Sequence, residues 1–432
     1  MTDHNDGPSR RKVLECMTWA GTGVLWAISG GVPHSLGLVD EAKASEAMAA
    51  DAKGLTFLQI SDSHMGFDKP ANPNAKGTLE EAITRIKAIP QKPAFMIHTG
   101  DITHLSKESE FDDAEKIISQ AKLDVHYVPG EHDIIDPDIK IYKERYGRGT
   151  KGSGYYSFDA NGVHFLGLVN VANLKGGGMG SLGDEQLEWI EDDLKGKSAS
   201  TPVVVFAHIP LWSVYPAWGW GTEDSARALG YMKRFGSVTV LNGHIHQIMQ
   251  KVEGNVTFHT ALSTAFPQPA PGTAPSAGPM KVPAEQLRKM LGTASVTFKQ
   301  GEHGSPSSTP RCRAERIMSF ARTLALGALT GLVAAFIAAA SPAQAADVEV
   351  KIDNFTFNPQ QITVKTGDAV TWVNHDDIPH TVTSKTMAFR SKAMDTDDKF
   401  SFTFATPGTY DYFCSLHPHM TGSIVVEVST GK

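Results

Sequence analysis

From Leu55 onward, short apolar runs alternate with stretches in which apolar residues recur at helical spacing. "LTFLQIS", "AFMIHTG", "VHYVPG", "VHFLGLVN", "PVVVFAH" and "VTVLNG" read as buried strands, because the apolar run is short and bounded by turn residues. "GTLEEAITRIKAI", "EFDDAEKIISQA" and "DEQLEWIEDDL" gather their apolar residues on one face and read as amphipathic helices. Strands alternating with helices predict a layered α/β domain over 54–300, its sheet covered on both faces. "PQPAPGTAPSAGP" (Pro267 to Pro279) reads as an ordered or extended tail, and a polar linker follows at 301–317. After Ala345 the texture changes to "VEVKI", "QITVK", "AVTWVN", "FSFTFA", "TYDYFC" and "GSIVVEV", short β-rich runs with turns between them. These predict a small all-β sandwich over 347–432, so the chain is multidomain.

Two apolar stretches fall outside both domains. "SRRKVLE" (Ser9 to Glu15) carries paired arginines, and no charge follows from Met17 to Val39. Residues 1–50 therefore resemble a twin-arginine export signal, with an N-terminal membrane anchor as the other reading. "MSFARTLALGALTGLVAAFIAAASPAQA" (Met318 to Ala345) has arginines before it, no charge between Arg322 and Asp347, and a small-residue end. Over 318–346 this is either a second, internal signal peptide or a membrane-spanning helix through 323–340. Both addresses predict an exported, periplasmic location, possible membrane anchorage included. Two neighbouring exported proteins joined into one reading frame would account for a leader in mid-chain.

Composition bounds the rest. A length of 432 residues calls for two or three domains. The 41% hydrophobic and 20% charged residues are those of globular material. A net charge of −7 offers no broad basic field, which excludes a nucleic-acid scaffold. Three cysteines cannot build a disulfide framework; Cys16 and Cys312 lie in the leader and the linker, leaving Cys414 as the chemically interesting one.

Acids and histidines collect at strand ends: "SDSH" (Asp62, His64), "TGD" (Asp101), "PGEHD" (Glu131, His132, Asp133), "AHIP" (His208) and "GHIH" (His244, His246). Ligands bind at such ends because the loops converge there. Residues two apart in extended chain share a side, which would pair Asp62 with His64 and His244 with His246. Mixed carboxylate and imidazole donors suit Zn, Mn or Fe. Taken in order over residues 55 to 265, these motifs resemble the calcineurin-like metallophosphoesterases. The resemblance implies that Asp62, His64 and His246 hold one metal, that His208 and His244 hold a second, and that Asp101 bridges them. It further implies a metal-activated hydroxide attacking a phosphate mono- or diester. His132 would act as acid or charge stabiliser, with Asp133 orienting it.

The family's G-N-H-D reads "GEHD" here, so Glu131 stands in place of an amide ligand to the second metal. A carboxylate there should favour a harder or more highly charged cation and weaken attraction for a doubly anionic monoester. His98, His104, His126, His164 and His259 read as structural hydrogen-bonders, His104 being the one placed to support a ligand. "PLWSVYPAWGWGTED" (Pro210 to Asp224) is either a substrate-facing lid or aromatic packing beneath a long loop.

Near the C-terminus "TYDYFCSLHPHM" sets Cys414, His417 and Met420 at close spacing, and "NHDDIPHTV" supplies His380. One thiolate, two imidazoles and a thioether form a blue-copper donor set. The stretch from Asp347 to Lys432 resembles the cupredoxins of the amicyanin and plastocyanin branch. That implies one copper ion, one-electron transfer, and a redox partner such as a c-type cytochrome or dehydrogenase docking near His417. The whole chain therefore reads as a phosphoesterase joined to an electron carrier. The alternative is a copper protein whose phosphoesterase-like domain serves binding or structure.

Overall fold

A computed structural model describes residues 31–37, 54–298 apart from 136–138 and 176–177, and 347–428 apart from 354, 377 and 418–419. The twin-arginine motif, the 301–317 linker and the 318–346 segment lie outside the described residues, so the readings placed on them stand apart from this description. No helix among the described residues is long and apolar enough to cross a membrane.

Two sheets face each other in the first domain. One runs in the order Gly31–Gly37, Gly292–Phe298, Leu55–Ile60, Met96–His98, Val125–Tyr127. The other runs Tyr156–Ala160, Val163–Gly167, Val203–Ala207, Val238–Asn242, Val256–Thr260, Gln250–Glu253. The edge strand Gly31–Gly37, within the stretch read as a leader, pairs antiparallel with Gly292–Phe298. Because neither face of a central strand meets water, the strands are apolar throughout rather than alternating, and Val203–Ala207 and Val238–Asn242 are buried at every position. Phe57, Ile97, Phe165, Val204, Phe206 and Leu241 fill the space between the sheets. The outer faces lie under helices, Ala75–Ala88 and Glu108–Ile118 on one side, Asp184–Lys195 and Ser225–Met232 on the other. The helix Ala75–Ala88 starts where the Asn74 side chain accepts from the Gly77 N–H at 2.9 Å, satisfying one of the free donors of the first turn.

Away from the strand ends, buried His164 lies between two acids, Nδ1 2.8 Å from Asp159 and Nε2 2.6 Å from Asp193. Burial opposes ionisation of Asp193, but hydrogen bonds from His164 and Ser157 outweigh it and hold the carboxyl below its usual range. A depressed carboxyl contributes stability that is full above its unfolded pKa of about 3.9 and is lost as pH falls through the lower folded value. Asp193→Asn is therefore expected to cost about 1 kcal/mol at pH 7. The difference from the parent should close as pH falls below the ordinary carboxylate range, which denaturant midpoints taken across about pH 3–7 would show.

The second domain is a sandwich of two four-stranded sheets among the described residues. One holds Thr356–Asn358, Asp347–Asp353, Ala369–Asn374 and Lys399–Thr403; the other holds Gln361–Lys365, Thr421–Glu427, Gly408–Phe413 and Thr383–Ser384. Alternation of apolar and polar positions in Thr421–Glu427 turns one face inward and leaves the other to water. Fully buried Trp372 centres the core, its ring 5.3 Å from Tyr412 and 5.5 Å from Phe389. Trp372→Ala would leave a cavity no neighbour can fill, and about 3–5 kcal/mol of this domain's stability should be lost, measured by chemical denaturation.

Candidate metal centres

The C-terminal ends of five parallel strands aim into one place. Ile60 leads to Asp62 and His64, His98 to Asp101, Tyr127 to Glu131 and His132, Ala207 to His208, and Asn242 to His244 and His246. Their convergence does not come from extended chain, as the two-residue spacing suggested. Asp62, His64, Asp101, His244 and His246 all have positive φ, between 37° and 70°. Left-handed backbone at non-glycine residues is costly and collects where function holds it, here by turning the chain sharply once each strand ends. The motif glycines answer a second need. A side chain on Gly130 would collide with the Asp101 carboxylate and backbone, and one on Gly243 with Ser61 and Asp62.

The donor atoms form two overlapping groups. In the first, His246 Nε2 lies 3.2 Å from Asp62 Oδ1 and 3.3 Å from His64 Nε2. In the second, Glu131 lies 3.0 Å from both His208 Nε2 and His244 Nδ1. Asp101 Oδ2 stands between them, 3.5 Å from His64 Nε2 and 3.3 Å from His208 Nε2. Backbone carbonyls fix the tautomers, because a carbonyl can only accept. His208 Nδ1 is 2.7 Å from the Thr99 carbonyl and His246 Nδ1 is 2.6 Å from that of Phe266. Each Nε2 is thereby left with a lone pair aimed into the cluster, the usual orientation of a metal-ligating histidine.

Electrostatics point the same way. Burial opposes ionisation of Asp62, yet His246 beside it holds the carboxyl down at about 2. Burial, then neighbouring His132 and His246, keeps His64 neutral. Burial disfavours a charged His208, but Asp101 and Glu131 override it and raise its basicity well above the ordinary value, so its Nε2 attracts either a proton or a metal cation. A cluster anionic enough to do this calls for cations, and its oxygen and nitrogen donors fit borderline metals.

Two expected roles change on inspection. The Asp133 carboxylate accepts from Ile102 N (3.1 Å), Thr103 N (2.8 Å) and Gly130 N (2.9 Å), so it braces the Asp101 turn rather than the His132 ring. His132 Nδ1 instead lies 2.8 Å from the carbonyl of His104, whose ring stacks on it at 5.2 Å. His104 thus supports the site through its backbone. His98, His126, His164 and His259 keep structural roles, His98 bonding Ser63 at 2.9 Å and His126 stacking on Phe158 at 3.8 Å.

A cavity of about 430 Å³ opens over the cluster, lined by His64, Asp101, Glu131, His132 and His244. The aromatic loop at 210–224 serves both readings given to it. Trp212 is buried in packing, Trp220 is buried yet reaches the cavity, and Tyr215 and Trp218 are partly exposed and line it. The Pro-rich stretch at 267–279 is no tail, for seven of its residues from Gly272 to Pro279 form another wall.

In the sandwich, His380 Nδ1 and His417 Nδ1 each lie 3.6 Å from Cys414 Sγ and 3.2 Å from one another. Met420 is buried at the far end of the same loop, its carbonyl accepting from Cys414 N at 3.1 Å. Burial raises the Cys414 thiol, but His380 and His417 outweigh it and hold it well below its usual range, as a thiolate. A buried thiolate facing two imidazoles fits a soft metal. Three supports escaped the sequence reading. Asp376 takes a hydrogen bond from His380 Nε2 at 2.8 Å, Thr381 N donates to Cys414 Sγ at 3.3 Å, and Phe355 packs edge-on to His380 and His417. Asp376 lies four residues before a ligand, a spacing that could have flagged it.

Residues 55–248 match the calcineurin-like phosphoesterase family, and residues 326–426 match the cupredoxin-like domain family. Amicyanin-alpha of Methylorubrum extorquens is 37% identical over 118 residues, which is 26% of this chain and 99% of that protein. The serine/threonine-protein phosphatase CPPED1 of Bos taurus is 28% identical over 31% of this chain and 45% of its own. A probable glycerophosphodiester phosphodiesterase GpdQ of Arcobacter nitrofigilis is 23% identical over 48% of this chain and 78% of its own.

Proposed function

This chain is a calcineurin-like phosphoesterase, a phosphoric ester hydrolase, continued by a member of the cupredoxin family, and from that premise we propose an exported enzyme that hydrolyses phosphodiesters and carries its own one-electron copper module. The observation behind the hydrolytic half is the pair of donor groups sharing Asp101 beneath one cavity. Two bound cations of Fe, Mn or Zn would supply charge neutralisation at phosphorus and an acidified water. Asp62, His64 and His246 would hold one and Glu131, His208 and His244 the other, with Asp101 common to both. His132 lines the cavity with its Nδ1 committed to the His104 carbonyl, so in the doubly protonated ring the Nε2–H would be the proton passed to the departing oxygen. Asp133 keeps Asp101 and Gly130 in register while this happens.

Glu131 bears on the substrate. Its carboxylate lines the cavity, so a diester with a single negative charge meets less repulsion than a dianionic monoester. Hydrolysis of bis(p-nitrophenyl) phosphate, with Fe, Mn and Zn added back to metal-free protein, should exceed that of p-nitrophenyl phosphate. No hydrolysis of either ester under any metal would leave a copper carrier with a binding domain. Copper held by His380, Cys414, His417 and Met420 would give a thiolate charge-transfer band at about 600 nm. Both leaders support an exported, periplasmic protein. Immunoblots with a tag on each domain test whether the two domains stay joined through 318–346: one band near 46.6 kDa is expected, and two shorter bands would separate the copper module from the enzyme.

A further inference from the structure

The cavity over the dinuclear cluster has a wall from each domain. Phe355, Thr356, Ile378, Leu416 and the copper-site residue His417 line it together with the five cluster residues and the Tyr215–Trp218 pair. The contact that brings them there is made at several separate points. Lys69 Nζ lies 3.1 Å from Asp395 of the sandwich, and though burial opposes its charge, that partner raises the ammonium above its ordinary value. Ile135, two residues beyond Asp133, packs against the sandwich core. A side-chain carbon placed on Gly278, in the Pro-rich wall, would reach ordinary contact distance of the Phe355 ring.

Phe355 is the residue that joins the two sites. It holds a positive φ of 56°, a conformation rare for a large aromatic. In that conformation its ring stands edge-on to His417 at 4.9 Å and to His380 at 5.4 Å while also facing the cavity. Elsewhere on the lining, Tyr215 and Trp218 meet edge to face at 5.1 Å. Apolar side chains from both domains thus bound the space beside the cluster that would receive the phosphoryl group.

We propose that the copper end of the sandwich forms one wall of the hydrolase site, so that an aromatic or bulky apolar ester group is held between Tyr215 and Trp218 on one side and Phe355, Ile378 and Leu416 on the other. This rests on the phosphoesterase reading above and names its substrate class. A group seated against Phe355 and Leu416 is one side chain away from the imidazoles of the copper site. Occupancy of the hydrolase site should therefore register in the copper spectrum.

Three measurements on the full, metal- and copper-loaded chain test this. A zero-length carbodiimide should couple Lys69 to Asp395, found by mass spectrometry, and absence of that linkage overturns the arrangement. Phenylphosphonate, which cannot be hydrolysed, should shift the thiolate band with the same midpoint at which it inhibits hydrolysis, and inorganic phosphate should leave the band in place. Phe355→Ala should reduce the preference for a phenyl over a methyl phosphodiester, taken as the ratio of kcat/KM values, by about tenfold, the worth of one aromatic contact. Thr356→Trp, at an exposed strand position on the cavity wall, should lower the same ratio by crowding should Phe355→Ala fail to fold. A silent copper band under saturating phenylphosphonate, or an unchanged ratio, overturns the proposal while leaving the phosphoesterase reading intact. Loss of all hydrolysis strikes that reading instead, and the cross-link and the band shift still decide the wall.

Discussion

Asp101→Asn is expected to lower kcat for phosphodiester hydrolysis by about a thousandfold or more, with the fold intact. One carboxylate oxygen stands between both donor groups, near His64 on one side and His208 on the other. An amide keeps the shape and can still accept from the His132 N–H, now 3.0 Å from Asp101 Oδ1, so the turn should survive. What it removes is the negative charge that both cations share. Several kcal/mol of transition-state stabilisation come from such a pair, and each 1.4 kcal/mol is about tenfold in rate. Metal analysis should find fewer than two ions per chain. A variant that keeps both ions and loses less than about tenfold in kcat would show that Asp101 is no bridge.

The second large effect concerns colour. Cys414→Ser should abolish the thiolate band at about 600 nm and weaken copper binding by more than about a hundredfold. Serine is smaller and harder, and its hydroxyl stays protonated where the Cys414 thiol ionises. The site is built around the sulfur, since Thr381 N, His380 and His417 all converge on it. Absorption and electron paramagnetic resonance after copper addition would settle it, and a surviving blue band would move the copper elsewhere.

The five acid and histidine motifs were legible because each closes an apolar run, and the chain must turn where a buried strand ends. Their geometry was not. Period-two alternation holds only while the chain stays extended, and Asp62, His64, His244 and His246 lie two and four residues past their strand ends, in left-handed turns. Supports made by carbonyls were equally hidden. His104 was singled out for its ring, but it is the His104 backbone that holds His132. Asp133 follows His132 directly and yet serves the backbone at nearby Gly130 and, by tertiary contact across some thirty residues, at Ile102 and Thr103. Composition misled once, for Pro and Gly at 267–279 meant a cavity wall rather than a tail. The likeness of each domain to a known family was readable from ligand spacing alone. Their shared cavity was not, because it joins side chains of His64 and His417 that no local pattern relates.

Lys69 and Asp395 pair across the two domains, their side chains 19% and 24% exposed. Such a pair is screened by ions in the medium, so its hold loosens as salt rises. While it holds, the imidazole edge through which electrons would leave the copper looks inward, toward the ester. Outgoing electrons and incoming substrate would then share a single doorway, with this pair as one of its fastenings. A soluble electron acceptor should be reduced faster in concentrated salt than in dilute buffer, the reverse of the usual order for partners that find each other by opposite charge.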